Sequence, residues 1–215
     1  MTVILGLDTS TSVVAGLAVG DAAPRVAVVD DTRAHAEQLM PLVRELLGGA
    51  GLAPADLTGI VVGVGPGPFT GLRVGVVTAL TLGEVLGVAV HGVCSLDVVA
   101  AQWVESGAPD EFVVASDARR REVYWAHYAR GMRVSGPHVS APDRVPPLPL
   151  AGPGATLVGE ASGPTVLDGG VLAARGPTLP DAGREPLYLR RPDAEVPGAP
   201  KSALPQPRVA FGMRP

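Results

Sequence analysis

The chain has 215 residues, of which 47% are hydrophobic, and a net charge of −4. It is long enough to bury a substantial core, and its single cysteine, Cys94, excludes an internal disulfide, as is typical of a cytoplasmic protein. The first ten residues, MTVILGLDTS, have no basic region, so we predict no signal peptide. No unbroken apolar run is long enough to span a membrane, so we predict no membrane span. Residues 1–110 carry four basic and eleven acidic side chains, which makes that half a poor surface for nucleic acid by itself.

The first half of the chain predicts a mixed sheet with packed helices. In chain order, the periodicity indicates strands at 3–10, 13–19 and 25–31, a helix at 35–51, a strand at 57–65, a helix at 70–86, a strand at 88–93 and a helix at 95–105. Short turns join the first three strands, so we expect them to pair antiparallel. The 57–65 strand is apolar throughout, which is typical of a strand buried on both faces. We therefore expect an α/β fold.

The second half predicts a smaller lobe. A strand at 112–118 and a hairpin partner at 122–130 enclose the arginines at 119–121, which favour a solvated turn over the alternative of an RNA contact. Sixteen of the 22 prolines lie beyond residue 136, which disfavours long helices there. Strand-like pieces remain at 156–160 and 186–192. We predict an N-terminal lobe at 1–108, a smaller lobe at 109–195 and a flexible proline-rich tail at 196–215.

Asp8, Thr9 and Ser10 are the candidates for binding a nucleotide. A carboxylate that ends a strand beside hydroxyl groups suits a magnesium-bound nucleotide, although the same residues could simply form a β-turn with local hydrogen bonds. The glycine-rich loop GPGPFTGLRVG, at 65–75, lacks the lysine of a phosphate loop.

Two predicted helices are more apolar than one core requires. In the helix at 70–86 the small residues recur every fourth position, and charges are confined to Arg73 and Glu84. A helix that is apolar all round is buried all round, and small residues let helices approach closely. We predict a protein interface formed by Leu39, Met40, Val43, Leu46, Leu47, Gly71, Leu72, Gly75, Ala79, Leu82 and Gly83. The alternative is that the two helices pack only on each other within the chain.

Five segments in the same order resemble one family. LGLDTSTS, HAEQLMPLV, GVGPGPFTGLRVGVVTALTLG, SDARRREVYWAHY and PLYLRRP are similar to the TsaB family, the dimerisation subunits of the bacterial tRNA threonylcarbamoyladenosine synthase. The resemblance covers roughly residues 1–192. It implies the actin/sugar-kinase/heat-shock-chaperone (ASKHA) fold, which is ribonuclease H-like, with two lobes and the second one reduced.

The resemblance also implies partners and no chemistry of the chain's own. It predicts pairing with a TsaD-like catalytic paralogue through a four-helix bundle, cooperation with a TsaE-like ATPase, a homodimer when alone, and tRNA contact only through the complex. It predicts no catalytic residues and no cofactor, although a nucleotide could sit at the partner junction.

Enzymatic alternatives are a small-molecule kinase of the same fold group or a glycoprotease-like metallopeptidase. The catalytic paralogue holds its metal with a His-x-x-x-His pair on one helical face. Here His91 is followed at the matching spacings by Cys94 and Ser95, so we predict no metal site. A standalone tRNA-binding protein is a third alternative, which the acidic first half disfavours.

Overall fold

The first sheet follows the predicted strand order closely. A computed structural model describes residues 1–29 and 35–190; the predicted strand residues 30–31 and the predicted tail at 196–215 lie outside the described residues. The sheet contains β1 (Val3–Asp8), β2 (Val13–Val19), β3 (Arg25–Val29), β4 (Gly59–Gly63) and β5 (Ala89–Val93). Their order is β3-β2-β1-β4-β5. The first three strands pair antiparallel, as predicted, and β4 is parallel to both β1 and β5.

Helices cover both faces of this sheet. On one face lie α1 (His35–Gly49) and α2 (Phe69–Leu86), which share a core with β1 and β4. On the other face, α3 (Ser95–Ser106) packs in a second core together with aromatic residues of the second sheet. By length and composition, α2 is the one helix among the described residues that could span a membrane. It instead lies against its own sheet with six residues buried, as a core helix does.

The second sheet contains two strands that the sequence pattern did not predict. It consists of β6 (Glu111–Asp117), β7 (Val123–Ala129), β8 (Met132–Ser140) and β9 (Leu150–Ala151), in the order β8-β7-β6-β9. The unpredicted strands are the two-residue β9 and the edge strand β8, in which every residue is exposed or half-buried and buried positions do not alternate with exposed ones. The Gly136-Pro137 pair of β8 lies where the register with β7 shifts, and a bulge on an edge strand tolerates proline.

Two predicted strand-like segments are wrong. Residues 155–158 form the short helix α4 (Ala155–Val158), which ends at Gly159. Residues 186–190 are irregular, with Leu187 N donating to Val64 O and Tyr188 N turning back to Pro186 O. The short helix α5 (Gly169–Arg175) begins at an Asp168 cap and packs closely on β2, because neither Gly16 nor Gly169 has a side chain.

Candidate functional site

Asp8 is fully buried at the end of β1, and its carboxylate is enclosed by hydrogen bonds. Oδ1 accepts from the backbone N of Ser10 at 2.8 Å and from Ser10 Oγ at 2.7 Å. Oδ2 accepts from Ser95 Oγ at 2.6 Å, and that hydroxyl in turn accepts from Gly65 N at 3.1 Å. Gly63 must be glycine here, because a Cβ would collide with the carboxylate. The cluster therefore joins β1, the glycine-rich loop and the start of α3.

Burial dominates the electrostatics of this cluster. Desolvation raises the pKa of Asp8 above its ordinary value, and the hydrogen bonds from Ser95 and Ser10 act in the opposite direction. Loss of hydration favours the neutral acid, whereas hydrogen bonds donated to the carboxylate favour its charged form. The cluster is thus a buried hydrogen-bonded contact between the end of β1, the glycine-rich loop and the start of α3.

Thr9 ties the same turn to α2. Its Oγ1 donates to Gly71 O at 2.7 Å and accepts from Gly75 N at 3.1 Å, so the hydroxyl bridges two backbone groups four residues apart in the helix. A Cβ at Gly75 would collide with this hydroxyl. The first turns of α2 are therefore fixed to the β1–β2 turn by a side chain inserted at the helix surface.

These contacts engage the three predicted nucleotide-binding residues, Asp8, Thr9 and Ser10, within the protein, and nucleotide binding by them stays a prediction. All three side chains are buried, and their hydrogen bonds are made within the protein. A metal-bound phosphate requires an accessible carboxylate oxygen, and here both oxygens are engaged. A nucleotide at a partner junction stays a prediction.

The small-residue ridge of α2 faces the protein's own sheet, which corrects its predicted place in an interface. Gly75 lies against Thr9, and a Cβ at Gly83 would collide with Val90 of β5. The ridge does let α2 approach closely, but its neighbour is the sheet. The predicted interface residues of α2 that are buried in this way are Gly71, Leu72, Gly75, Ala79 and Gly83.

The same correction applies to α1. Four of its predicted interface residues, Leu39, Val43, Leu46 and Leu47, are buried in the core between α1 and the sheet. Two further predicted interface residues, Met40 and Leu82, are half-buried. An interface on these helices would therefore use side chains on their opposite faces.

The opposite face of α2 is exposed and partly apolar. Val77 is 58% exposed and Val85 is 75% exposed, and they lie along a stripe with the exposed residues Thr70, Arg73, Thr81 and Glu84. No charged residue occurs in α2 between Arg73 and Glu84. The stripe comprising Thr70, Arg73, Val77, Thr81, Glu84 and Val85 is called the outer stripe of α2.

His91 and Cys94 are held by separate contacts. His91 Nε2 lies 3.1 Å from Leu179 O, and its Nδ1 lies 3.9 Å from an Asp181 carboxylate oxygen. Burial, followed by the charge of Asp97, raises the pKa of the Cys94 thiol to about 12. Within residues 1–29 and 35–190, no group of three or more His, Cys, Asp and Glu residues is placed to hold a metal ion.

Asp97 is a second buried carboxylate, which the sequence pattern did not indicate. Asp97 Oδ1 accepts from Tyr128 OH at 2.7 Å and lies 3.4 Å from Arg133 Nε. Desolvation raises the pKa of Asp97, against the opposing effects of Tyr128 and Arg133. The available signal for this site was the pair of polar residues Ser95 and Asp97 in the first turn of α3. Polar residues are frequent where helices begin, so this signal indicates a helix start rather than a buried cluster. The partners of Ser95 and Asp97 lie 30 or more residues away along the chain, so no local pattern indicates them.

The two sheets and their helices define a protein of the ASKHA fold group, as predicted. Residues 20–155 match the family model described as TsaD: tRNA N6-adenosine threonylcarbamoyltransferase. YeaZ from Pseudomonas aeruginosa superimposes with a TM-score of 0.73 at 28% identity, covering 88% of this chain and all of that one.

Curated relatives agree with this match. An uncharacterized protein of Mycobacterium tuberculosis is 44% identical over 89% of this chain and 93% of its own length. The Escherichia coli tRNA threonylcarbamoyladenosine biosynthesis protein TsaB is 33% identical over 59% of this chain and 55% of its own length. The chain also spans 56% of a 44% identical protein from Mycobacterium leprae. The chain belongs to the TsaB/YeaZ-like family.

Proposed function

We propose that the chain is a non-catalytic partner subunit in the threonylcarbamoylation of N6 of the tRNA adenosine next to the anticodon. It pairs with a TsaD-like catalytic paralogue, works beside a TsaE-like ATPase, forms a homodimer when alone, and reaches tRNA only within the assembly. Family membership supports this role, since the Escherichia coli and Bacillus subtilis relatives are named for tRNA threonylcarbamoyladenosine biosynthesis.

The observation that carries the proposal is the outer stripe of α2. A helix facing only water normally presents charged and polar residues on its outer side. Here the outer stripe is uncharged between Arg73 and Glu84 and exposes Val77 in that part, and it exposes Val85 next to Glu84. Such a surface is suited to burial against helices of a partner, and its flanking charges, Arg73 and Glu84, suit the rim of an interface.

The buried carboxylate of Asp8 supports the non-catalytic part of the proposal. An enzyme that uses a nucleotide or a metal needs a carboxylate that faces its substrate. Asp8 is instead buried, and both of its carboxylate oxygens accept hydrogen bonds from Ser10 and Ser95. The chain therefore contributes shape and surface to the assembly, and the paralogue supplies the chemistry.

The test is a charge placed on the outer stripe, with a matched charge elsewhere. Val77→Glu puts a carboxylate into the proposed interface, whereas Val104→Glu puts one on α3, where the valine is 46% exposed. Burying an unpaired carboxylate costs several kcal/mol, which corresponds to at least about a hundredfold loss of affinity. We expect Val77→Glu to lose co-purification with the paralogue and to be monomeric by light scattering, and Val104→Glu to behave like the parent.

Two controls make this outcome interpretable. Both valines are exposed, so both variants should retain the melting temperature of the parent to within a few degrees. Threonylcarbamoyl transfer to an unmodified tRNA transcript, measured with the reconstituted subunits, should fall only for Val77→Glu. Parent-like partner binding by Val77→Glu would refute the interface, and absence of transfer with the parent subunit would refute the proposed function.

A further inference from the structure

The turn between β6 and β7 consists of arginines in a backbone conformation that arginine disfavours. Arg119, Arg120 and Arg121 have φ values of 61°, 54° and 63°. Glu122 N donates to Arg119 O at 3.0 Å, which closes a tight turn with two central residues of positive φ. Such turns favour Asn-Gly, and a left-handed residue with a Cβ costs about 1–2 kcal/mol. Folding alone therefore gives no reason for arginine here.

The turn continues into a larger basic surface through the 187–190 segment. Arg190 forms an ion pair with Glu122, the residue that ends the turn. Two positions earlier, Tyr188 stacks on Phe69 at 4.7 Å and accepts a hydrogen bond from Arg73 Nε at 3.0 Å. Because two residues span at most about 7 Å, the 187–190 segment contacts both the end of the arginine turn and the first turns of α2.

These segments are rich in arginine, at positions 73, 119, 120, 121 and 190. Arg119 forms an ion pair with Asp117, and Arg190 forms one with Glu122. Arg119 lies 3.2 Å from Asp117 and its side chain is still 69% exposed. The arginines at 119–121 are all exposed. A row of exposed guanidinium groups matches the phosphate oxygens of a polyanionic chain, which it can bind with paired hydrogen bonds.

We infer that the arginine turn at 119–121 contacts the phosphate backbone of tRNA in the assembled complex. This inference rests on the proposed function, which supplies the RNA. It assigns to this subunit a positioning role: the strained turn after β6 holds three exposed arginines in a fixed arrangement. A phosphate contact is sequence-independent, so the turn would contribute affinity and orientation rather than the choice of tRNA.

The test replaces the strained arginines by the residues that the turn favours. Arg120→Asn/Arg121→Gly removes two charges and relaxes the turn, so loss of RNA binding could not be attributed to unfolding. The matched control is Arg130→Asn, which removes an exposed arginine with φ of 50° from the next hairpin turn, at the opposite end of β7. Seven strand residues separate the two turns by about 20 Å.

Binding is measured by fluorescence anisotropy of a labelled, unmodified tRNA transcript with the complex of this chain and its TsaD-like paralogue, over a series of salt concentrations. We expect Arg120→Asn/Arg121→Gly to bind about tenfold or more weakly near 0.1 M salt, with a salt slope lower by about 0.7 to 0.9 per lost contact. Its melting temperature should equal or exceed that of the parent. Arg130→Asn should match the parent in binding and slope.

Three results would overturn the inference in distinguishable ways. If the parent complex modifies tRNA and the double variant binds tRNA like the parent, the turn is not an RNA contact and the proposed function stands. If the double variant loses the paralogue in a pull-down, the turn contacts protein instead. If the parent complex neither binds nor modifies tRNA, the proposed function falls as well.

Discussion

Gly75→Ala tests which way α2 faces. Glycine inside a helix is ordinarily unfavourable, so replacement by alanine at an open position stabilises a protein by about 0.5–1 kcal/mol. At Gly75 the added Cβ would collide with Thr9 Oγ1 and displace the hydroxyl that bridges Gly71 O and Gly75 N. Overpacking costs about 1–3 kcal/mol, and each lost hydrogen bond about 0.5–1.5 kcal/mol. We expect a net destabilisation of about 2–4 kcal/mol.

For a chain of this length, each kcal/mol lost from the free energy of unfolding lowers the melting temperature by about 2–4 °C. The Gly75→Ala variant should therefore melt about 5–15 °C below the parent. Gly48→Ala is the matched control, because Gly48 is exposed on α1 and a Cβ there meets nothing within 4 Å. We expect Gly48→Ala to melt at or slightly above the parent temperature. Thermal melts by circular dichroism, supported by urea titrations, measure both.

A double-mutant cycle with Thr9→Ala isolates the contact itself. Removing the hydroxyl leaves the Thr9 Cβ at 3.5 Å from the new methyl group, which is ordinary van der Waals contact. Gly71 O and the backbone N of residue 75 can then bond directly, as in a regular helix. The destabilisation by Thr9→Ala/Gly75→Ala should therefore be smaller than the sum of the two single changes. A Gly75→Ala variant as stable as Gly48→Ala would show that the small-residue ridge faces outward.

Two further predictions concern buried ionisable groups. Burial raises the pKa of Asp8 above 3.8, so the native state keeps the Asp8 carboxyl group protonated to higher pH than the unfolded chain does. The contribution of this proton to the free energy of unfolding is fully present below pH 3.8 and is lost as the pH rises through the native pKa. Urea unfolding over a pH series should show this decline in the parent and a shallower one in Asp8→Asn, and an identical slope in both would contradict the assignment. Cys94, buried and with its pKa raised to about 12, should react with iodoacetamide only after unfolding; labelling of the native protein would contradict this.

The elements of the first half were predictable because their signals are local. Strand β2 runs over the predicted residues 13–19, and α2 begins within one residue of its predicted start. Apolar periodicity and glycine punctuation determine such features over a few residues. Strand β8 lacks that signal because its residues are exposed or half-buried and none is fully buried, and the register with β7 is irregular around Gly136.

The orientation of side chains was less predictable because it depends on distant partners. The spacing of small residues in α2 correctly indicated a close approach, but it could not tell the sheet of the same chain from a partner helix. The deciding contact joins Gly75 to Thr9, 66 residues away. The carboxylate of Asp8 was likewise a chemically reasonable candidate for nucleotide binding. Its hydrogen bond from Ser95, 87 positions away, could not be predicted from local sequence.

The buried cluster and the exposed stripe are two sides of one arrangement. Thr9 fixes the first turns of α2 onto the β1–β2 turn, and Gly75 and Gly83 allow the helix to lie close against the sheet. Because successive faces of a helix are fixed relative to one another, anchoring the small-residue ridge inward directs Val77 and Val85 outward. Residues that resemble a nucleotide site thus set the angle at which α2 presents its outer stripe. If the outer stripe is the proposed interface, a change at Thr9 should weaken partner binding without altering any residue of the stripe, whereas Val77→Glu alters the proposed contact directly.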